Sequence, residues 1–280
     1  MRGLQTVRGR VCSEYAGDVH IERWFGQHDR GAAAPARIHT AIATPLNRTY
    51  KTRGVVLRAR NLGEADRILT MFTLEGGKLD AVAKGIRRAR SRIGGRLEFG
   101  NEVVMTVHRG RSLDVIAGAE IVREHWRALV APERFGVASA ACEMVDAFCE
   151  PDLAMPEVYA LLVDMLAAVA RASDAKRLLV RFSLRLLEAL GLAPPLDSCV
   201  QCGRPLNGDR IWLDLQATGF VDDACRQRGR AMLELDASDL RSMQLRVRPT
   251  ARATEAVEML VAHHLGRRPR TSVMLSEMQR

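Results

Sequence analysis

Hydrophobic and polar positions change their rhythm once along this chain, and the change marks its main division. Residues 51–60 alternate around Val55, Val56 and Leu57. Residues 67–74 present Ile68, Leu69, Met71 and Phe72, and the turn Glu75-Gly76-Gly77-Lys78 leads into residues 79–86, the pattern of a β-hairpin. Residues 102–108 alternate Val103, Met105 and Val107; after Arg109-Gly110-Arg111-Ser112, residues 113–122 carry Val115 and Ile116 at their centre. Five short strands in about seventy residues predict a small barrel or sandwich over residues 49–125. Helical spacing is absent there, except for a short turn near residues 63–66.

Beyond Arg123 the spacing becomes helical. Pro132 stands where a first-turn proline belongs, ahead of Phe135, Val137, Ala138, Ala141, Cys142, Val145 and Phe148. Pro156 opens a second helix. Ser173 or Asp174 is placed to cap a third, which carries Leu178, Leu179, Phe182, Leu186, Leu187 and Leu190 until Gly191 and Pro194-Pro195 end it. Residues 196–235 read as an irregular insert. Two shorter helices are expected at 236–244, capped by Asp236 or Ser238, and at 252–265, with a frayed tail after Gly266. The architecture expected is therefore α+β: a β-domain, then a helical domain over 126–280 that holds a cysteine-containing loop, 196–235. Residues 1–48 have no sustained period and read as a disordered leader, Gly31-Ala32-Ala33-Ala34-Pro35 included.

Charge sharpens this division. The formal net charge is +9, with +3 in residues 1–48, +6 in 49–125 and zero in 126–280. A basic first domain beside a neutral second one suggests a polyanionic partner for the first alone. There is no run of about 18 apolar residues to span a bilayer and no apolar core of a signal peptide near the start, so a soluble cytoplasmic protein is the default expectation.

The six cations Lys84, Arg87, Arg88, Arg90, Arg92 and Arg96 follow one another without an Asp or Glu between them. Gly85, Gly94 and Gly95 punctuate the same stretch and let backbone approach a ligand closely. A charge run is often only a solvated face; clustered in a turn, it suits phosphates, whose neutralisation releases counterions and gives salt-sensitive affinity. Aromatic residues for base stacking are scarce, with Tyr50, Phe72 and Phe99 the candidates in the domain, each more naturally read as core.

The cysteines do not form a disulfide scaffold. Cys142 and Cys149 fall near a buried helical stripe, whereas Cys199-x-x-Cys202-Gly203 is one knuckle of a zinc site. Cys225 follows, but Arg228 stands where a fourth cysteine is due; Asp222, Asp223, His263 or His264 could complete the shell, although none has ligand-like spacing. A bound zinc and a degenerate loop that has lost its metal both fit. Enzyme signatures are missing: there is no Walker loop, dinucleotide fingerprint or His-Glu-x-x-His. Glu64 and Asp66 admit a metal-dependent nuclease, although pairing with Arg67 or nearby cations is the simpler reading.

In their order along the chain, these motifs resemble the bacterial recombination mediator family RecO. The residues that carry the resemblance are Gly54-Val55-Val56-Leu57-Arg58, Gly63-Glu64-Ala65-Asp66-Arg67-Ile68-Leu69, Phe72 to Lys78, Ala83 to Arg92, Leu190-Gly191-Leu192-Ala193-Pro194 and Cys199 to Gly203. The resemblance implies an N-terminal OB-fold, a helical domain and a zinc loop. It also implies a non-enzymatic protein that binds single- and double-stranded DNA, anneals strands, and works with RecR to load recombinase onto DNA coated by single-stranded-DNA-binding protein. Carried over by position, the DNA-contacting residues are Lys84, Arg87, Arg88, Arg90 and Arg92, and Arg96 extends the run. The zinc ligands are Cys199, Cys202 and Cys225. Arg177, Arg181 and Arg185, one helical face, are candidates to receive the acidic tail of the coating protein. An RNA- or ribosome-associated OB-fold protein using the same loop is the alternative reading.

Overall fold

In the computed structural model, residues 48–245 and 248–271 are described. The leader expected at 1–48 therefore lies outside the described residues, apart from Arg48. The alternating segments form β1 (Thr49–Leu62), β2 (Asp66–Thr73), β3 (Gly77–Ala83), β4 (Glu102–His108) and β5 (Asp114–Arg123), close to where the sequence pattern puts them. They close into a barrel in the order β1-β2-β3-β5-β4. The long β1 makes closure possible by pairing twice, antiparallel to β4 through Thr49–Val55 and antiparallel to β2 from Gly54 to Leu62. The seam between β3 and β5 is parallel and only two residue pairs long.

Inward positions such as Val56, Leu69, Met71, Val103, Met105, Val107 and Ile116 fill the barrel. Two plugs come from the connection between β3 and β4: Ile86 and Leu97 are buried in the same core, and Ile93 packs against it. Fully burying a side chain of this size contributes about 1.5–3 kcal/mol, enough to pin both ends of that connection.

The helical part contains α1 (Trp126–Leu129), α2 (Pro132–Phe148), α3 (Pro156–Arg171), α4 (Lys176–Ala189), α5 (Ala237–Gln244) and α6 (Ala251–Leu265). Pro132 and Pro156 occupy first-turn positions, where a missing N–H costs nothing. Cys142 and Cys149 are buried in this core, as their spacing suggested. Neither Ser173 nor Asp174 caps α4; its N-cap is Ala175, which makes no side-chain cap. Asp236 caps α5 through a reciprocal box with Asp239, and Thr250 caps α6.

Two expectations are corrected here. Residues 196–235 are not irregular: β6 (Ile211–Asp214), β7 (Gly219–Asp222) and β8 (Leu233–Leu235) form an antiparallel sheet in the order β7-β6-β8. The tail beyond Gly266 is not frayed at its start, because Glu143 on α2 accepts hydrogen bonds from Arg267 Nη1, the N–H groups of Arg270 and Thr271, and the Thr271 hydroxyl.

Barrel and helices meet through specific contacts. Asp146 on α2 receives Arg58 Nε at 2.8 Å and Lys78 Nζ at 3.4 Å. Glu102, 1% exposed, accepts Arg53 Nε at 2.7 Å and the Tyr159 hydroxyl at 2.9 Å. Gly77 has φ +67°, and a Cβ there would lie 2.1 Å from the Leu153 carbonyl oxygen, so only glycine fits this crossing. No helix among the described residues is long and apolar enough to cross a membrane.

Candidate nucleic-acid interface and metal centre

The basic connection leaves β3 at Ala83 and is gathered at its base by Asp66, whose carboxylate accepts the Gly85 N–H at 2.7 Å. Asp66 is thereby engaged in holding a turn. The Arg87 N–H donates to the Ala65 carbonyl at 3.0 Å, tying the connection to the β1–β2 turn. The chain then reverses, with Arg88 N–H on Gly85 O and Ser91 N–H on Arg88 O. It passes so close to itself that a Cβ on Gly94 would lie 2.8 Å from the Ile86 carbonyl oxygen. Buried Ile86 and Leu97 face the core while the six cations, all exposed, face outward.

Those six cations are not equivalent. Arg87 Nη1 turns back to the Gly63 carbonyl at 3.2 Å, and Arg96 Nη1 to the Ala119 carbonyl at 2.9 Å. Among the described residues, Lys84, Arg88, Arg90 and Arg92 pair with no acidic side chain; the nearby Glu98 is within ion-pair distance of Arg67, at 3.8 Å. Four like charges on a short pinned turn repel one another, and an anion relieves that repulsion. Other cations of the barrel are paired: Arg53 and Arg123 both lean on Glu102 and Arg58 on Asp146.

The cysteine group does come together, with a fourth donor. Cys199, Cys202, Cys225 and Asp222 bring their ligand atoms within 4.8 Å of one another. Zinc with ligand bonds near 2.3 Å sets tetrahedral sulfurs about 3.8 Å apart, so the cluster is close to the span required. The Gly203 N–H on Cys199 O and the Cys199 N–H on Arg204 O, each at 2.8 Å, fold the knuckle. The strand pairing of β6 with β7 delivers Asp222, whose Oδ1 accepts the Cys225 N–H at 2.8 Å. Arg228, where a fourth cysteine is due, is exposed outside the cluster, and of the residues that could complete the shell it is Asp222 that lies with the three cysteines.

The electrostatics of the cluster favour the charged forms of Cys199 and Asp222 but not of Cys225. Burial works against the Cys199 thiolate, but N–H groups of Asp222, Cys202 and Gln201 outweigh it and hold the thiol below its ordinary pKa. Burial likewise opposes the Asp222 carboxylate, and hydrogen bonds from Cys225 and Cys202 with the Arg204 charge outweigh that too. Cys225 is pushed up to about 12 by its hydrogen bonds to Cys202 and Asp222. Three sulfurs and one carboxylate, with no open position, fit a closed structural zinc site; zinc there would supply cross-linking of loop to sheet.

The third predicted group separates. Arg181 is buried, while Arg185 is partly exposed and 3.3 Å from Glu188. Together with Leu184 and Met243 these two line a shallow depression between α4 and α5, which Arg177 does not line. His263 is exposed on α6, away from the cysteines.

A closed five-strand barrel in this order, followed by a helical domain with a four-donor cluster, defines an OB-fold protein with a metal-competent helical partner domain. The family models described as Recombination protein O N terminal and Recombination protein O C terminal match residues 47–125 and 130–272, and the chain belongs to this family, RecO. Relatives include the DNA repair protein RecO of Bifidobacterium adolescentis, 40% identical over 169 residues, which is 58% of this chain and 68% of that one. The protein of the same name from Thermobifida fusca is 35% identical over 183 residues, covering 64% and 74%. That from Rubrobacter xylanophilus is 36% identical over 180 residues, covering 63% and 71%.

Proposed function

We propose that this chain is a non-enzymatic mediator of recombinational DNA repair, which holds the phosphates of single- and double-stranded DNA on the 84–96 connection. The observation that carries the proposal is the set of four exposed cations, Lys84, Arg88, Arg90 and Arg92, that have no acidic partner among the described residues on a turn anchored at both ends. Family membership and the printed function of the relatives, DNA repair, support the choice of DNA. Phosphate contacts leave base edges free, so screening two strands at once favours annealing. In this reading the protein acts with RecR to load recombinase onto DNA coated by single-stranded-DNA-binding protein. The depression beside Arg181 and Arg185 receives the acidic tail of that coating protein, and the cysteine cluster holds zinc as a structural ion. The protein works in the cytoplasm, on the nucleoid.

Salt titration tests the central claim. For an unstructured single strand, each lost phosphate contact reduces the slope of log K against log salt by about 0.7. Replacing Arg88, Arg90 and Arg92 together by Ala is expected to flatten the slope by about 2, whereas Arg87→Ala, whose guanidinium is turned to Gly63, changes it by much less. An unchanged slope in the triple variant refutes the assignment. Stronger binding to an RNA strand than to a DNA strand of equal length would move the protein to the RNA-binding alternative.

A further inference from the structure

Where the basic connection ends, an aromatic group begins. Phe99 lies three residues past Arg96, and its ring centroid is 5.2 Å from that of Phe135 at an interplanar angle of 57°. Trp126 completes the group, 6.4 Å from Phe135 and nearly perpendicular to it at 80°. Phe99 comes from the barrel, Trp126 from α1 and Phe135 from the first turn of α2, so the group exists only when the two domains are joined. Phe135 is 41% exposed, the one aromatic side chain among the large hydrophobics that are exposed within the described residues. Phe99 and Trp126 are half-buried around it.

The group is also tied to the cationic turn. Asn101 is fully buried, and its side-chain amide donates to the Arg96 carbonyl at 3.2 Å while its carbonyl oxygen accepts the Trp126 N–H at 3.0 Å and the His125 N–H at 2.9 Å. One side chain therefore clamps the end of the phosphate-binding turn to the start of the aromatic group. Two of the acidic residues nearby are paired, Glu98 with Arg67 at 3.8 Å and Glu124 with Arg127 at 3.2 Å, while Glu133, two positions before Phe135, is exposed. An anionic strand leaving the turn meets an aromatic surface on which Glu98 and Glu124 are already paired with cations.

We propose that Phe135, with Trp126 and Phe99, is a base-stacking platform for single-stranded DNA that leaves the cationic turn. The inference rests on the turn's binding phosphate. The turn supplies affinity for any strand; the platform accepts only unpaired bases, because in a duplex the ring faces are already stacked. It makes the protein discriminate single strands from duplexes, which phosphate contacts alone do not do.

The experiment uses the full chain, a labelled oligo(dT), an abasic oligomer of equal length with the same phosphates, and a duplex of the same length. The wild type is expected to bind oligo(dT) roughly tenfold more tightly than the abasic strand, the size of one stacked base. Phe135→Ala and Phe135→Leu, the second of which keeps apolar volume and folding, are both expected to erase that preference without altering duplex affinity or the salt slope. Equal binding of oligo(dT) and abasic strand by the wild type overturns the proposal. So does unaltered oligo(dT) binding in both variants, the result expected if this face receives a protein instead. An Arg88, Arg90, Arg92→Ala variant with an unchanged salt slope would refute the phosphate assignment instead, so the two failures are distinguishable.

Discussion

Glu143 illustrates how one residue can fix a segment far away in sequence. Burial disfavours its charge, but hydrogen bonds from the Thr271 hydroxyl and N–H, the Arg270 N–H and Arg267 outweigh that penalty and hold its pKa at about 2, below the ordinary 4.5. A depressed carboxylate pKa stabilises the fold fully above the unfolded value and loses that stabilisation as pH falls through the folded one. The stability advantage of the wild type over Glu143→Gln is therefore expected to be constant above about pH 5 and to shrink steadily down to about pH 2. Urea denaturation at a series of pH values measures it; a gap independent of pH would mean that the carboxylate does not hold the segment. None of this was legible in the sequence, where residues after Gly266 look like a charged tail, because the partner lies more than a hundred positions upstream.

At the scale of elements, legibility followed length and locality. The five barrel strands were visible because each runs at least seven residues, long enough for alternation to register, and the turns between them carry glycine. In the 196–235 insert β6, β7 and β8 have four, four and three residues, too short for any period. That is also why the sequence offers Asp222 only as one of several residues to complete the metal shell: it enters the cluster by strand register, which local spacing does not show. The cationic turn was fully legible as charge, but not that Arg87 and Arg96 spend their guanidinium groups on backbone carbonyls. Phe99 is a stacking candidate from sequence, but its grouping with Trp126 and Phe135 is not legible there, because Phe99 lies in the turn before β4 and the other two on α1 and α2. If the cluster is a zinc site, elemental analysis of purified protein is expected to find about one zinc per chain, and Asp222→Ala to weaken zinc binding at least tenfold in competition with a chelator. The affinity should also fall as pH is lowered, because each ligand must give up its proton. Protein free of zinc, with stability unchanged by a chelator, would retire the site.

For the whole molecule, the barrel's connectivity matters as much as its contents. β1, β2 and β3 form a local meander, whereas the first half of β1 pairs with β4, so that Thr49 meets His108 across 59 positions. Local pairings cost the least loop entropy and are expected to form first, with closure by β4 and β5 later. Stopped-flow kinetics can check this order. Leu69→Ala, inside the meander, is expected to slow refolding, while Val107→Ala, at the closing pair with Tyr50, is expected chiefly to speed unfolding. The same geometry bears on how the chain is made. During synthesis β1 leaves the ribosome with one edge soon covered by β2 and the edge of Thr49–Val55 open until residue 108 has emerged. An unpaired edge beside apolar side chains is a template for association with other chains. The interval between translating Val55 and His108 is therefore a window in which this edge of a nascent chain is open to association.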